Sequence, residues 1–263
     1  MMREVPSVIK QCCAAAYATP WVALLLGESW HPGGLDLTEH LGRALALTPR
    51  DVVADVAAGE GASARHLAAR FGCEVWALDL GEAQVARGQS RDARQGGAPV
   101  RFQQGDAEAL PWAAGSVDVV LCECALCTFP SPETAVQEWA RVVKPGGRIG
   151  LTDVTRRGPL PAALDNLAGW VGCLAGARPV EAYADLLTTA GFQVLRREDR
   201  SADLSVLVAR IGQALLTWLQ FQGPGASLGG LDRAAVEGLW AAIQEAIGRH
   251  ELGYALLTAR RPA

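Results

Sequence analysis

Short aliphatic and β-branched runs alternate with amphipathic stretches through the middle of the chain. The runs predict strands, and the stretches between them, in which apolar residues recur every three or four positions, predict helices. Strands are expected at 51–56, 73–80, 100–104, 117–123, 147–154, between Gly191 and 198, and at 253–261. Helices are expected at 62–72, 82–95, 132–144 and from 182 to Gly191.

This alternation is typical of an α/β protein whose doubly wound, mostly parallel sheet has seven strands and helices on both faces. Ligands of such sheets lie at the carboxyl ends of the strands. Residues 1–47 are mainly helical and are predicted to form an N-terminal lid. Residues 203–249 are expected to be helical, apart from a Gly-Pro-Gly loop at 223–225, and to form an insertion in a domain that spans 48–263.

The composition agrees with one globular unit, because 50% of the 263 residues are hydrophobic, 20% are charged and the net charge is −4. No basic block is present, which argues against nucleic acid as a partner. No apolar run is expected to cross a membrane, and the N-terminus is a poor signal peptide. We therefore expect a cytoplasmic protein with a small-molecule partner. The pattern predicts nothing about oligomeric state.

Small and acidic residues lie where three of the predicted strands end. Gly59 and Gly61 follow the first strand and allow a tight turn close to a ligand. Asp55, Asp79 and Asp106 end the first, second and third strands, where carboxylates can accept hydrogen bonds from ribose hydroxyls or an exocyclic amine. Their common edge predicts a nucleotide site.

Five motifs in order, DVAAGEG, ALDL, GDAEALPW, VDVVLCECAL and VVKPGGRIGLTDV, resemble the Rossmann-like class I S-adenosylmethionine-dependent methyltransferases. The resemblance implies that Gly59 and Gly61 pass beneath the cofactor. It implies that Asp79 holds the ribose, that Asp106 holds the adenine amine and that Asp55 lies near the methionine end. Further cofactor-binding candidates are Ala57, which replaces the family's usual first glycine, Leu80, Ala107 and Glu123.

A NAD enzyme is the alternative for the fold. Its fingerprint, G-x-G-x-x-G, is matched only in degenerate form, because Ala64 stands where the third glycine or alanine would fall. No dinucleotide role is evident for GDAEALP.

Three of the seven cysteines lie close together in VDVVLCECALCTFP. Cys122 and Cys124 flank Glu123 and would point to one side of an extended strand, and Cys127 follows one turn later. They could be small core residues or part of a zinc site, although a second cysteine pair of zinc spacing is missing. In a reducing cytosol the cysteines are expected to be thiols.

The segment also resembles the arsenite methyltransferases, which carry a cysteine just past the fourth strand, where Cys124 lies. Those enzymes place a second cysteine before a Gly-Ala-Leu turn. VGCLAGARPVEAYADLL matches with Cys173, and Arg178 replaces the leucine. The resemblance implies that Cys124 and Cys173 bind arsenite and take part in catalysis, with Cys122 and Cys127 as further catalytic candidates.

Trivalent arsenic is a soft, thiophilic acceptor whose lone pair can attack a methyl sulfonium, and thiolates are the soft ligands of proteins. Cys12, Cys13 or an external thiol such as glutathione would complete its ligand set. Two alternatives remain open at this stage: a methyltransferase for a small organic acceptor (O, N or C) with cysteines lining the pocket, and a non-catalytic metal-binding or sensing protein. His31 in HPGG is a turn residue or an acceptor or carboxylate ligand, and Tyr17 stacks on the cofactor or fills the lid.

Overall fold

A seven-stranded sheet in the order β3-β2-β1-β4-β5-β9-β6 organises the molecule. The computed structural model describes residues 5–19, 27–95, 100–158, 160, 172–222, 227–228 and 231–263. The strands of the sheet are β1 (Val52–Val56), β2 (Glu74–Asp79), β3 (Val100–Gln104), β4 (Val117–Glu123), β5 (Val143–Arg156), β6 (Gln193–Asp199) and β9 (Leu252–Arg260). All seven predicted strands are confirmed.

Helices cover both faces of the sheet, and two helices precede its first strand in sequence. They are α1 (Val5–Tyr17), α2 (Gly34–Ala44), α3 (Ala62–Phe71), α4 (Glu82–Gln95), α5 (Pro132–Val142), α6 (Val180–Thr189), α7 (Ser201–Gln222) and α8 (Arg233–Gly248). The helical character predicted for 1–47 is present in α1 and α2. Residues 1–4 and 20–26 of that segment, and the predicted Gly-Pro-Gly loop at 223–225, lie outside the described residues.

The strand order reverses beside β1, which pairs in parallel with both β2 and β4. β2 continues in parallel to β3, and β4 to β5. Only β9 runs antiparallel, between β5 and β6. The sheet is therefore the predicted doubly wound, mostly parallel one, and the reversal at β1 and β4 creates the crevice in which such sheets bind ligands.

Each face of the sheet carries its own buried apolar layer. On one face, Leu41 of α2 and Leu67 of α3 pack over β1 and β4 and are fully buried. On the other, Trp139 of α5 and Tyr183 of α6 are fully buried against Ile149 of β5. Because period-2 alternation along the strands sends side chains to both layers, the sheet is held rigid from both sides.

The largest boundary difference from the prediction lies where α5 meets β5. α5 ends at Val142 rather than at 144, and β5 begins at Val143 rather than at 147. The Pro145-Gly146-Gly147 turn is thus inside the strand, where the pairing register with β4 shifts. A Cβ at Gly147 would lie 2.8 Å from the Asp118 carbonyl oxygen, so this close approach requires glycine.

The segment 203–249 also differs from an all-helical insertion, because a short hairpin joins α7 to α8. Its strands are β7 (Ser227–Leu228) and β8 (Leu231–Asp232). By length and composition, Ser201–Phe221 in α7 would suffice to cross a membrane, contrary to the expectation that no segment would. α7 packs against β9 and α8, and 17% of its most apolar 18-residue window is buried in the structure.

Candidate active site

A cleft opens at the carboxyl ends of β1, β2 and β4, on the crevice side of the sheet. It contains about 1030 Å³ of empty space, including its open mouth. Its floor is formed by residues that follow the three strands, and α1 and the segment around Trp30 form its roof. The cleft therefore lies where the strand topology and the motifs both predicted a ligand.

The turn between β1 and α3 has an unusual backbone. Ala57 has φ 62° and Gly59 has φ 57°, so both lie in the left-handed region that favours glycine. A Cβ at Gly59 would come within 3.1 Å of the Trp30 ring, a contact so tight that the ring would have to shift. Gly61 does not line the cleft. It precedes α3 with φ 75°, and a Cβ there would collide with Phe102.

Asp79 at the end of β2 holds this turn in place. Its carboxylate accepts the Gly59 N–H at 2.8 Å and the Gly81 N–H at 2.8 Å. Burial raises the pKa of Asp79, although these backbone donors partly oppose that shift. Each carboxylate oxygen can accept a second bond, so Asp79 still has acceptor capacity at the cleft, which Leu80 also lines.

Asp55 is buried at the floor of the cleft, and its Oδ2 has no hydrogen-bond partner among the described residues. Burial raises its pKa well above the usual value, and the negative charges of Glu123 and Asp79 raise it further. A cationic ligand would supply the missing partner and relieve the repulsion. The sulfonium and ammonium groups of S-adenosylmethionine are cationic, so the residues at this floor fit that cofactor.

Glu123 at the end of β4 is the centre of a buried polar network. Its carboxylate accepts hydrogen bonds from the hydroxyls of Thr38 at 3.0 Å and Ser63 at 2.6 Å. His31 Nε2 lies 3.4 Å from Glu123 Oε2, and its Nδ1 donates to the Pro32 carbonyl at 3.0 Å. Glu123 therefore joins the lid to the sheet through α2 and α3, as well as lining the cleft.

Asp106, the predicted adenine ligand, is paired with a lysine of the lid. Lys10 of α1 lies 2.7 Å from Asp106 Oδ2 and 2.6 Å from Glu108 Oε2. Burial lowers the pKa of Lys10, but its two carboxylate partners outweigh that effect and the pKa is raised. Ala107, between the two acids, is buried in the core and does not line the cleft.

Cys124 lines the cleft and meets the buried Cys173, with their Sγ atoms 3.9 Å apart. Both are in the left-handed region, with φ 53° and φ 63°. They meet because the segment before α6 folds back over β5, where the Arg156 N–H donates to the Arg178 carbonyl at 3.0 Å. Two sulfurs bound to one ion at about 2.3 Å in tetrahedral geometry would be roughly 3.8 Å apart. The observed separation is that of a thiol–thiol hydrogen bond, and it is close to the separation that one shared ion would require.

Cys173 is the cysteine of this pair that gives up its proton more easily. Hydrogen bonds from the thiols of Cys124 and Cys127 and from the Tyr17 hydroxyl, 3.7 Å away, hold the pKa of Cys173 well below its usual value. The shared hydrogen bond to Cys173 and burial raise the pKa of Cys124. These three donors favour the thiolate form of Cys173, and in its thiol form Cys173 donates to the Cys124 carbonyl oxygen at 3.4 Å.

The other cysteines lie at different distances from the cleft. Cys122 is fully buried in the opposite apolar layer, so the expectation that it points to the same side as Cys124 is wrong. The reason is that β4 ends at Glu123 and Cys124 already belongs to the turn. Cys127 is buried beneath the pair, where its N–H donates to Asp153 at 2.9 Å. Cys13 of α1 lines the cleft.

Cys13 has a pKa raised to about 11, because it is buried and because the charge of Cys173 acts on it. Within the described ranges, no three His, Cys, Asp or Glu side chains are arranged to hold a metal ion. The structure thus brings the sulfurs of Cys124 and Cys173 together with the buried thiol of Cys127, and a fourth thiol, that of Cys13, lines the cleft.

Sequence reasoning missed Lys10, Thr38 and Ser63, and it left Tyr17 and His31 open. Tyr17 stacks on Trp30 with ring centroids 5.9 Å apart. A signal for α1 was present, since Lys10, Cys13, Ala14 and Tyr17 follow the helical period and all line the cleft. No sequence signal marks Thr38 or Ser63, because their roles depend on the carboxylate they meet.

Known proteins share this architecture and these motifs. A methyltransferase domain model matches residues 54–151. The arsenite methyltransferase of Halobacterium salinarum is 29% identical over 156 residues, 57% of this chain and 39% of that protein. The O-methyltransferase cnsE of Penicillium expansum is 30% identical over 231 residues, 86% of this chain and 77% of that protein.

The fold also matches a phosphoethanolamine N-methyltransferase 2 of Haemonchus contortus, solved with S-adenosyl-L-methionine. The TM-score is 0.75 at 17% identity, over 100% of this chain and 60% of that one. The chain spans well under half of the arsenite methyltransferase but most of cnsE. With the matched domain, the sheet order and the acidic cleft taken together, the chain belongs to the class I S-adenosylmethionine-dependent methyltransferases.

Proposed function

We propose that this protein transfers a methyl group to a soft, thiophilic acceptor, with trivalent arsenic as arsenite the best fit. The single observation that carries the proposal is the Cys124–Cys173 sulfur pair, 3.9 Å apart beside an acidic cleft. When bound, S-adenosylmethionine supplies an electrophilic methyl group on a sulfonium sulfur. The predicted cofactor residues that line the cleft are Asp55, Ala57, Gly59, Asp79 and Leu80, and Asp106 lies behind Lys10.

The two cysteines would bind the acceptor and orient it. Each thiol that replaces a hydroxide of As(OH)₃ forms an As–S bond, and its proton leaves with the hydroxide as water. Cys173 would bond first, because its pKa is lowered and it gives up its proton to the departing hydroxide more readily than Cys124. Two As–S bonds fix the arsenic and direct its lone pair, so alignment rather than acid–base chemistry would supply much of the rate.

A third sulfur is needed to complete the pyramid around arsenic. Cys13 lines the cleft, which favours it over Cys12 and over Cys127, whose thiol is buried beneath the pair. An external thiol such as glutathione is the alternative source. In either case the lid helix α1 would close over the loaded acceptor.

The test is methyl transfer to arsenite in the presence of glutathione and methyl-labelled cofactor, with methylarsenicals separated by chromatography. We expect product from the wild-type protein and a loss of at least about 100-fold in Cys124→Ser and Cys173→Ser, because misplacing a reacting atom costs that much. Cys73→Ser is the matched control. Cys73 is buried and its thiol donates to the Leu67 carbonyl on α3, so its loss should leave the rate unchanged.

Arsenite binding measured without cofactor separates binding from transfer. Cys124→Ser and Cys173→Ser should each weaken binding, whereas Cys73→Ser should not. Folded wild-type protein that binds the cofactor yet neither binds nor methylates arsenite would refute the proposal.

A small organic acceptor is the second candidate. The stacked Tyr17–Trp30 pair gives the cleft an aromatic wall, and cnsE, which is named an O-methyltransferase, is matched over most of its length. This candidate predicts methyl transfer to a phenol or similar hydroxyl compound that survives both cysteine substitutions and falls in Trp30→Ala. Loss of that transfer in Cys173→Ser would count against it.

A further inference from the structure

Lys10 occupies the position at which the adenine amine is expected. Its ammonium pairs with Asp106 and Glu108 at 2.7 and 2.6 Å, and its side chain is among those that line the cleft. The chain has two lysines, Lys10 and Lys144, so Lys10 does not belong to a group of solvent-exposed lysines. Both Asp106 oxygens are engaged, Oδ2 by Lys10 and Oδ1 by the Glu108 N–H at 2.9 Å, and Lys10 stands between Asp106 and the cleft lining, so a nucleotide amine at Asp106 would compete with Lys10.

The same helix reaches the acceptor end of the cleft. Tyr17 lies two turns beyond Lys10, about 10 Å along the helix axis, and its hydroxyl contacts the Cys173 sulfur at 3.7 Å. Between them, the Ala14 carbonyl accepts the Gln84 amide at 3.0 Å. α1 is therefore attached to both halves of the site, at the nucleotide end through Lys10 and at the thiol end through Tyr17.

We propose that Lys10 is a latch that stands in for the adenine amine: it holds α1 over the site in the free protein and is displaced from Asp106 when the cofactor enters. The Lys10 ammonium and the adenine amine of the cofactor need the same Asp106 carboxylate. The Lys10 ion pair therefore weakens cofactor binding by the same factor by which cofactor binding weakens the ion pair. Cofactor entry would release the Lys10 end of α1 while Tyr17 stays at the thiol end. This inference rests on the assignment of Asp106 to adenine within the proposed function, and it does not depend on the acceptor.

The first test is calorimetric titration with S-adenosylhomocysteine. Deleting a charged residue that lines a pocket usually weakens binding, but Lys10→Met should tighten it by roughly two- to tenfold, since one or two partly exposed ion pairs no longer compete. Lys10→Arg keeps the ion pairs and should behave as wild type. The matched control is Lys144→Met, because Lys144 pairs with Asp118 at the start of β4, away from the cleft. Weaker or unchanged binding by Lys10→Met overturns the proposal.

The second test uses the fact that these two lysines are the protein's only side-chain amines. The wild-type protein is acetylated briefly with and without S-adenosylhomocysteine, and modification at each lysine is measured by mass spectrometry. The ratio of Lys10 to Lys144 modification should rise at least about twofold with the ligand, because displacement breaks the ion pairs that cover the Lys10 ammonium. A ratio that falls shows that the ligand covers Lys10, and one that stays constant shows that Lys10 is not displaced. Either outcome refutes the latch while leaving the arsenite assay unaffected.

Discussion

At the scale of single residues, backbone strain is concentrated around the cleft. Three non-glycine residues there, Ala57, Cys124 and Cys173, have φ between 53° and 63°. An L-residue in this region is unfavourable and persists only where the surroundings hold it. For the two cysteines, the strained turns bring the two sulfurs within 3.9 Å of each other. For Ala57, the strain explains why glycine is the usual residue of the resembled family at this position.

Ala57→Gly should therefore be tolerated or should stabilise the fold. Removing the Cβ relieves the left-handed strain, while the extra freedom of glycine in the unfolded chain partly opposes the gain. We expect a free energy of unfolding up to about 1 kcal/mol higher in urea titration. Ala54→Gly, in the buried extended strand β1, is the matched control and should lower it by about 1 kcal/mol. A destabilised Ala57→Gly, by as much as Ala54→Gly, would contradict the strain argument.

At the scale of elements, α2 and α3 are connected to the sheet by buried polar contacts. Thr38 of α2 and Ser63 of α3 both donate to Glu123 at the end of β4. Leu37 and Leu41 on the same face of α2 are buried in the apolar layer. Apolar packing thus attaches α2, and the hydroxyls fix the carboxylate that faces the cleft.

Thr38→Val tests this connection. The substitution keeps the shape of the side chain but removes a donor from a buried carboxylate, which costs about 1–3 kcal/mol. We expect that loss in urea unfolding and weaker binding of S-adenosylhomocysteine. Thr38→Ser retains the hydroxyl and should lose less, and Thr217→Val on the exposed side of α7 should change stability little. An equal loss in Thr38→Ser and Thr38→Val would mean that packing, and not the hydroxyl, matters.

At the scale of the whole molecule, a buried carboxylate in the middle of the sheet links folding to pH. Asp153 of β5 is fully buried, and its oxygens accept the N–H groups of Cys127 and Val154 at 2.9 and 2.7 Å. Burial, followed by the charge of Cys173, raises the pKa of Asp153 to about 7. In an unfolded chain the pKa of Asp is about 3.9.

Stability should respond with a definite sign. Between about pH 4 and pH 7 the folded protein keeps a proton on Asp153 that the unfolded chain releases. The contribution of Asp153 to the free energy of unfolding therefore falls as the pH rises through this range, by up to about 1.4 kcal/mol per pH unit. Asp153→Asn removes this contribution. In urea titrations, the free energy of unfolding of the variant should therefore rise relative to that of the wild type as the pH goes from 5 to 7.5. A constant difference between the two proteins would contradict the prediction.

The sequence by itself determined the sheet and the edge at which the site lies. Strands read from aliphatic runs recur at their predicted places, because local alternation records which side chains are buried on each face. Asp55, Asp79 and Gly59 could be assigned to the cleft because parallel strands bring their carboxyl ends together. The sequence determined the ends of the strands and helices less well. The start of β5 is an example, because the bulge at Gly147 depends on contact with the neighbouring strand β4.

Only the tertiary structure decided which distant residues meet. Cys122 and Cys124 are two positions apart in sequence yet lie in different layers, whereas Cys124 and Cys173, 49 positions apart, are within 3.9 Å. The pairings of Lys10 with Asp106 and of Thr38 with Glu123 likewise join segments that no local pattern relates. The physical reason is that periodicity fixes the face on which a residue lies, while the packing of separate elements against one another fixes its neighbours.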